Sequence, residues 1–139
     1  MTESHSDAEV SEIGVGCFNC NGLGNNRKRE LVLEWLKNKE ENIIFLQETH
    51  STPETELLWC NQWNGKILFS HGSSNSTGVA ILVKRDSQNE IKIVKHQNLH
   101  QGRALIVQVE SAGTTFTLVN VYCPNNDDTD FIEKYYWNL

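Results

Sequence analysis

The stretch that decides the fold is Ile43-Ile44-Phe45-Leu46-Gln47-Glu48-Thr49-His50. Its first four residues are all apolar, without the alternation of a half-exposed strand, and they predict a short strand buried on both faces. Polar side chains that follow such strands gather at the edge of an α/β sheet. Glu48 is therefore predicted to stand at the mouth of a buried strand.

The rest of the chain predicts a mixed α/β (α+β) domain. Further strands are predicted at 13–19, 66–69, 79–83, 91–94, 104–109 and 114–122, and helices at 27–39, after Pro53 and at 127–137. This order suits a mixed sheet with helices on one face. We expect residues 1–12 to be a disordered leader and residues 13–139 a partial domain, truncated before its second half, because the last helix ends almost as it begins.

The composition limits the classes of function. The chain has 139 residues, with 12 Lys and Arg against 18 Asp and Glu and a net charge of −6. This balance opposes a protein that coats nucleic acid through many basic contacts, but it permits an enzyme that holds phosphate through a metal ion. No apolar run is long enough to span a bilayer or to form a secretory signal, so we expect an intracellular protein without a membrane partner.

The cysteines and the strand ends offer the candidate sites. Cys17 and Cys20 form a C-x-x-C pair without a second pair, and we expect all four thiols to be reduced and mostly buried. Asn19, Glu48 and Tyr122 each follow or end a predicted strand. Any one of them alone would be read as a structural residue. Together they predict a site at the strand ends, which we call the rim and define by Asn19, Glu48 and Tyr122. There Glu48 would hold Mg²⁺ through oxygen, Asn19 would orient the carboxylate or a phosphate, and Tyr122 would donate a hydrogen bond to phosphate.

Four motifs in order carry a family resemblance: N-x-N-G-L at 19–23, Q-E-T-H at 47–50, G-V-A-I-L at 78–82 and N-V-Y-x-P-N at 120–125. Together they resemble the endonuclease/exonuclease/phosphatase superfamily, most closely the endonuclease of LINE-type (non-LTR) retrotransposons, over its amino-terminal half. The resemblance implies a DNase I-like four-layered α/β/β/α sandwich with a magnesium-dependent phosphodiesterase site, in which Mn²⁺ could replace Mg²⁺.

By motif match, the resemblance implies that Glu48 and Asn19 build the metal site, that Tyr122 contacts the scissile phosphate and that Asn125 supports them. His50 also matches, and we expect it to serve local structure. The G-D-F-N and S-D-H segments of the family, whose side chains activate water, do not occur in this sequence. We therefore expect the chain to be inactive alone.

Three functions stay open. The first is the amino-terminal half of a retrotransposon endonuclease that nicks DNA, which by resemblance would act in the nucleus. The second is a phosphoinositide or other phosphoesterase of the same superfamily, against which the basic cluster Arg27-Lys28-Arg29 argues mildly. The third is a non-catalytic relic or interaction fragment, which could associate through an apolar sheet face left exposed by the missing half.

Overall fold

The computed structural model describes residues 13–85 and 90–123. Within these ranges the helices are α1 (Asn26–Lys37) and α2 (Glu56–Gln62), the latter preceded by a 3₁₀ turn, Pro53–Thr55, and the strands are β1 (Val15–Asn19), β2 (Ile43–Gln47), β3 (Gly65–Ser70), β4 (Val79–Lys84), β5 (Lys92–His100), β6 (Ala104–Ser111) and β7 (Thr114–Val121). Every element predicted in these ranges is confirmed, with β5 extending further than predicted. The leader, Asn125 and the helix at 127–137 lie outside the described residues.

The strands form two sheets. One has four strands in the order β1-β2-β4-β3, and the other has three in the order β5-β6-β7. In the first sheet β1 runs parallel to β2, while β4 pairs with β2 and β3 antiparallel, so the predicted mixed sheet is confirmed. The parallel register places Asn19 beside Gln47, so β1 and β2 end side by side.

The four-stranded sheet is buried on both faces. Its outer face packs under α1 and α2, where Ile44 and Leu46 of β2 belong to the same core as Leu33, Leu36 and Trp59 of the helices. Its inner face packs on the three-stranded sheet, in a layer formed by Ile43, Phe45, Val79, Ile81, Val83, Leu105, Val107 and Val109. The prediction of a strand at β2 covered on both sides is confirmed. The described residues thus supply a helix layer and two facing sheets.

The second sheet corrects one expectation. The third function assumed that the missing half would leave an apolar sheet face exposed. For the four-stranded sheet that expectation is wrong, because β5, β6 and β7 of the same chain cover its inner face, and Ile43 and Ile81 are fully buried. Separately, neither helix in the described ranges is long and apolar enough to cross a membrane.

The sequence offers Asn25 or Asn26 as the cap of helix α1, and the structure uses Asn25. The Asn25 side chain accepts a hydrogen bond from the backbone N–H of Lys28 at 2.8 Å, which satisfies a donor that the first turn leaves unpaired. The spacing of its apolar residues predicts a buried stripe of Leu31, Val32, Trp35 and Leu36. This prediction is partly wrong, because Leu36 is buried but Leu31 is 54% and Trp35 50% exposed. The helix turns a neighbouring face toward the sheet, and Arg29, Leu33 and Leu36 are its buried residues.

Arg29 can be buried because its guanidinium group finds three acceptors. It donates to Gln62 Oε1 at 2.6 Å, to the Leu23 carbonyl at 3.0 Å and to Asn26 Oδ1 at 2.6 Å. It also lies 5.7 Å from the ring centre of Trp59. Burial lowers the pKa of Arg29, but the three acceptors satisfy its donors inside the protein. This residue therefore joins α1, α2 and the loop after β1.

The other basic residues of this cluster are also engaged. The Lys28 ammonium group donates to the carbonyls of Cys20 at 3.3 Å and Asn21 at 3.2 Å, and Arg27 pairs with Glu30 one turn along the helix. Only Arg29 is withdrawn from the surface, since Arg27 is 73% exposed and Lys28 is also exposed. The mild argument of this cluster against a phosphoinositide substrate stays a prediction.

Candidate functional site

The described ends of β1, β2 and β7 carry the three candidate residues that sequence reasoning selected. Glu48 directly follows β2, is half-buried, and has a left-handed backbone with φ of +55°. Tyr122 directly follows the last residue of β7, and its hydroxyl donates a hydrogen bond to Glu48 Oε1 at 2.7 Å. The fold therefore brings together two residues that are 74 positions apart in the sequence.

Asn120 explains why Tyr122 reaches Glu48. The Asn120 amide nitrogen donates to the carbonyls of Leu46 at 3.1 Å and Ala80 at 2.8 Å, and its oxygen accepts from Gln47 Nε2 at 2.7 Å. Its side chain thus clamps β7 to both β2 and β4 at the rim, and it is only 1% exposed. Residues two apart in a strand face the same side, so the clamp also aims Tyr122 toward the four-stranded sheet.

Sequence reasoning missed Asn120 and Gln47 as functional candidates. Both residues lie within motifs that were recognised, N-V-Y-x-P-N and Q-E-T-H, but each was read only as part of the pattern. The signal that could have found Asn120 is its place on an apolar strand, on the same side as Tyr122. A buried amide there must find partners, and the nearest unpaired groups belong to another sheet.

Asn19 stands close to Glu48 in the fold but has another immediate partner. Its Oδ1 accepts a hydrogen bond from the backbone N–H of Asn21 at 2.9 Å, which shapes the turn after β1. The next residue, Cys20, donates its N–H to the Gln47 carbonyl at 2.9 Å and so continues the pairing of the two strands. In residues 13–85 and 90–123, no hydrogen bond joins Asn19 to Glu48 or Tyr122.

Backbone hydrogen bonds join three of the four motifs. Gly22 donates its N–H to the Glu48 carbonyl at 2.7 Å, and Thr49 donates to the Gly78 carbonyl at 3.0 Å. Gly22 has φ of +86°, and a Cβ added there would lie 2.6 Å from His50 Nδ1. Position 22 therefore requires glycine, both for its backbone conformation and because the His50 ring packs against it.

The electrostatics of the rim keep Tyr122 protonated. Its hydrogen bond to Glu48, followed by burial and by the negative charge of Glu48, raises the pKa of the phenol, while the Arg103 guanidinium 5.9 Å from the ring centre opposes the shift. Since an unperturbed tyrosine already titrates near pH 10, Tyr122 is a hydrogen-bond donor at neutral pH. It can stabilise a phosphate oxygen, but it cannot act as the base that activates water.

The thiols near this site do not form a metal centre. In the described part of the chain, no group of three or more His, Cys, Asp and Glu side chains could hold a metal ion. Cys17, Cys60 and Cys123 are exposed and only Cys20 is partly buried, so the prediction of mostly buried thiols is wrong. Burial raises the pKa of Cys20 to about 12, which keeps this thiol neutral.

The rim nevertheless fits a magnesium ion. Mg²⁺ needs only one or two protein carboxylates, because it keeps several waters and takes further oxygens from a phosphate. Glu48 supplies a half-buried carboxylate held in place by Tyr122, and Asn19 ends the adjacent strand with a carboxamide. These oxygen donors suit a hard cation, with a phosphate completing its coordination.

A helix layer, a mixed sheet and a facing antiparallel sheet, with polar residues converging at one end of the strands, define a DNase I-like α/β sandwich. The chain belongs to the Endonuclease/Exonuclease/phosphatase family, whose sequence pattern matches residues 16–137. Members of this family generally use divalent metal ions.

One curated relative comes from a transposon. The chain is 35% identical over 112 residues to the "Transposon TX1 uncharacterized 149 kDa protein" of Xenopus laevis. The match covers 81% of this chain but 8% of that protein. This similarity agrees with the resemblance to retrotransposon proteins drawn from the four motifs.

Solved structures show the same fold at low sequence identity. A TDP2 of D. rerio complexed with single strand DNA product gives a TM-score of 0.62 at 15% identity, covering 91% of this chain and 52% of that one. An AP endonuclease from Archaeoglobus fulgidus gives 0.56 at 20% identity, covering 89% and 48%. The chain thus spans about half the length of these structures, and the predicted fold class is confirmed.

Proposed function

We propose that this chain is the amino-terminal part of a magnesium-dependent phosphodiesterase domain that nicks DNA, and that it is inactive without the remainder of the domain. The observation that carries the proposal is the contact between Glu48 and Tyr122 at the rim. It brings together, across 74 positions of sequence, a carboxylate that we assign to metal binding and a hydroxyl that we assign to phosphate binding. The transposon relative favours DNA as the substrate over other phosphodiesters.

The residues of the rim have distinct roles in this proposal. Glu48 would hold Mg²⁺, with the Asn19 carboxamide as a further oxygen donor. When a phosphate binds, the Tyr122 hydroxyl would turn from Glu48 Oε1 and donate its one hydrogen bond to a non-bridging oxygen of the scissile phosphate. The bound ion supplies charge stabilisation for the phosphate during hydrolysis. Asn125, by its motif position, supports this arrangement from beyond the described residues.

The chain's own residues leave the activation of water unassigned. Hydrolysis forms a bond between phosphorus and a water oxygen and breaks the bond to the 3′ oxygen, so a base must accept a proton from water. Tyr122 is protonated, and the G-D-F-N and S-D-H segments are absent from the sequence. We assign the base to sequence beyond residues 1–139, as the half-length match to the solved structures supports.

The test is nicking of supercoiled plasmid in Mg²⁺. We would compare the 139-residue chain with the same chain continued by the remaining domain of the Xenopus laevis transposon protein. Glu48→Ala and Tyr122→Phe would be introduced into the extended form, with Glu54→Ala as the matched control, because Glu54 is an exposed carboxylate in the turn before α2.

We expect nicking only by the extended form, abolished by Glu48→Ala, strongly reduced by Tyr122→Phe and unchanged by Glu54→Ala. Nicking by the 139-residue chain would contradict the proposed inactivity. Hydrolysis of a phosphoinositide with intact plasmid would favour the second function, and a folded extended form without either activity would favour a non-catalytic relic. Action in the nucleus stays a prediction that comes only from the family resemblance.

A further inference from the structure

A chain of polar side chains begins at the residue after Glu48 and leads to helix α2. Ser51 Oγ lies 3.0 Å from His71 Nδ1, and His71 Nε2 lies 2.7 Å from Glu56 Oε2. Thr49, the residue after Glu48, donates its hydroxyl to Ser51 Oγ at 3.1 Å. We name Thr49, Ser51, His71 and Glu56 the hydroxyl–imidazole chain. Neither the motifs nor the proposed chemistry uses His71 or Glu56.

One tautomer of His71 satisfies every group along this chain. With the imidazole proton on Nε2, Ser51 Oγ accepts from Thr49 Oγ1 and donates to His71 Nδ1, and Nε2 donates to Glu56 Oε2. In this tautomer the hydrogen bonds run in one direction, from the residue beside Glu48 to an exposed acid on α2.

The arrangement resembles a catalytic Ser-His-acid triad, but burial excludes that role. A nucleophilic serine must reach a substrate, and Ser51 is 1% exposed. The His71 ring is stacked on Phe69, with centroids 5.0 Å apart, and its carbonyl accepts from Gln101 Nε2 at 2.7 Å. These groups are fixed inside the fold and are suited to holding a loop in place.

The loop that they hold contains strained backbone. Glu48 and His50 both have left-handed conformations, with φ of +55° and +57°. For residues with a Cβ, such conformations persist only when surrounding contacts enforce them. Thr49 lies between them and is fully buried, its hydroxyl accepting from the Ser51 N–H at 3.2 Å. The hydroxyl–imidazole chain is thus attached to the middle of the strained segment.

We propose that Ser51, His71 and Glu56 are positioning residues that hold Glu48 in its metal-binding conformation. The inference rests on the proposed function, because it treats Glu48 as the metal ligand. The hydroxyl–imidazole chain supports Glu48 through the backbone. Thr49 and Ser51 hold the backbone next to Glu48 in place, and His71 connects them to Glu56. Loss of such a support weakens metal binding without removing a ligand.

The experiment measures Mn²⁺ affinity of the 139-residue chain by titration followed with electron paramagnetic resonance, a readout that does not require activity. We would compare the wild type with Glu48→Ala, Ser51→Ala, His71→Ala, Glu56→Ala and Glu56→Gln. The control is Ser111→Ala, another buried serine, located at the opposite end of the three-stranded sheet from Tyr122. Circular dichroism would establish the folded fraction of each variant.

We expect Glu48→Ala to abolish binding, and Ser51→Ala and His71→Ala to weaken it about tenfold. Glu56→Gln should retain affinity because its amide oxygen still accepts from His71 Nε2, whereas Glu56→Ala should weaken binding. Ser111→Ala should bind as the wild type does. In addition, ¹⁵N chemical shifts should show His71 protonated at Nε2, and this signature should persist in Glu56→Gln.

The outcomes separate the two proposals. If Glu48→Ala abolishes binding while folded Ser51→Ala and His71→Ala bind as tightly as the wild type, the positioning role is wrong and the proposed function stands. If Glu48→Ala binds normally, the metal role of Glu48 fails, and the positioning role fails with it. If Ser51→Ala and His71→Ala do not fold, the pair Glu56→Ala and Glu56→Gln decides, because Glu56 is half-exposed, and equal affinities would overturn the proposal.

Discussion

Two regions hold the sheets of this domain together, and they do so by different physical means. The apolar layer between the sheets consists of branched aliphatic side chains and Phe45. At the rim, the Asn120 amide and the hydrogen bond from Tyr122 to Glu48 cross the same gap through directed polar contacts.

The difference shows that the apolar layer stabilises the packing of the two sheets, whereas the rim fixes the relative positions of individual residues. Burial of apolar surface is non-directional and grows with area, so the layer stabilises the sandwich without specifying a register to a fraction of an ångström. A hydrogen bond depends on both distance and angle. The rim can therefore place Tyr122 and Glu48 at 2.7 Å while contributing much less to the free energy of folding. Substitutions in the two regions should have different consequences.

The largest effect on stability should come from the apolar layer. Ile81 is fully buried between the sheets, so Ile81→Ala should lower the free energy of unfolding by about 2–5 kcal/mol. Urea unfolding followed by circular dichroism would measure the change. Val94→Ala, at a 48% exposed position on β5, is the control and should change stability by less than about 0.5 kcal/mol. Equal effects at both positions would mean that this layer is not a packed core.

Asn120→Ala should lower the free energy of unfolding less than Ile81→Ala does, but it should displace the rim residues more. This change leaves the buried carbonyls of Leu46 and Ala80 without their donor, which should cost about 1–3 kcal/mol. We also expect weaker Mn²⁺ binding at equal folded fraction, because β7 loses its link to β2. Thr117→Ala, an exposed change on the same strand, should alter neither quantity. If Asn120→Ala kept the wild-type affinity for Mn²⁺, the claim that polar contacts at the rim position the metal-binding residues would be wrong.

Tyr122→Phe should affect stability less again. It removes a single hydrogen bond to a half-buried carboxylate, worth about 0.5–1.5 kcal/mol. The thermal midpoint should fall slightly, while the nicking rate of the extended domain should fall strongly if the hydroxyl contacts phosphate. A stability loss as large as that of Ile81→Ala would place Tyr122 with the core residues and contradict its assignment to the rim.

The last effect concerns Cys20 and is the smallest at neutral pH, where this thiol is protonated in both the folded and the unfolded chain. Burial raises the pKa of this thiol from 9.0 to about 12. A raised pKa in the folded state contributes stability that is present below pH 9.0 and is lost as the pH rises toward 12. The urea midpoint should therefore fall more steeply between these values in the wild type than in Cys20→Ala. Parallel pH profiles would show that the folded environment does not suppress ionisation of Cys20.

Much of the local structure was predictable because its causes are local. The apolar run at 43–46 predicted a strand covered on both sides, and Asn25 predicted the start of α1 through its capping bond. Four short motifs in order indicated the family, which the matching sequence pattern bears out. Glu48 was selected because a carboxylate fixed at the end of a buried strand is well placed to hold a hard cation.

The predictions that were wrong depended on tertiary contacts, which local sequence does not show. The predicted stripe on α1 included Leu31 and Trp35 in place of Leu33, because helical periodicity alone does not reveal the position of the sheet. The burial of Arg29 was not predicted, because local sequence does not show that its guanidinium group finds an acceptor on α2. Similarly, the open sheet face was predicted because hydrophobic patterns do not say which strands stack on which.

The sequence by itself determined the strands, the helix starts, the order of the motifs and the class of fold, since propensity, capping and periodicity act over a few residues. Only the tertiary structure decided that β5, β6 and β7 cover the four-stranded sheet, that Asn120 clamps the rim and that Tyr122 meets Glu48. These contacts join residues about 74 positions apart. They depend on the packing of two sheets, which brings distant polar groups within the short range of a hydrogen bond.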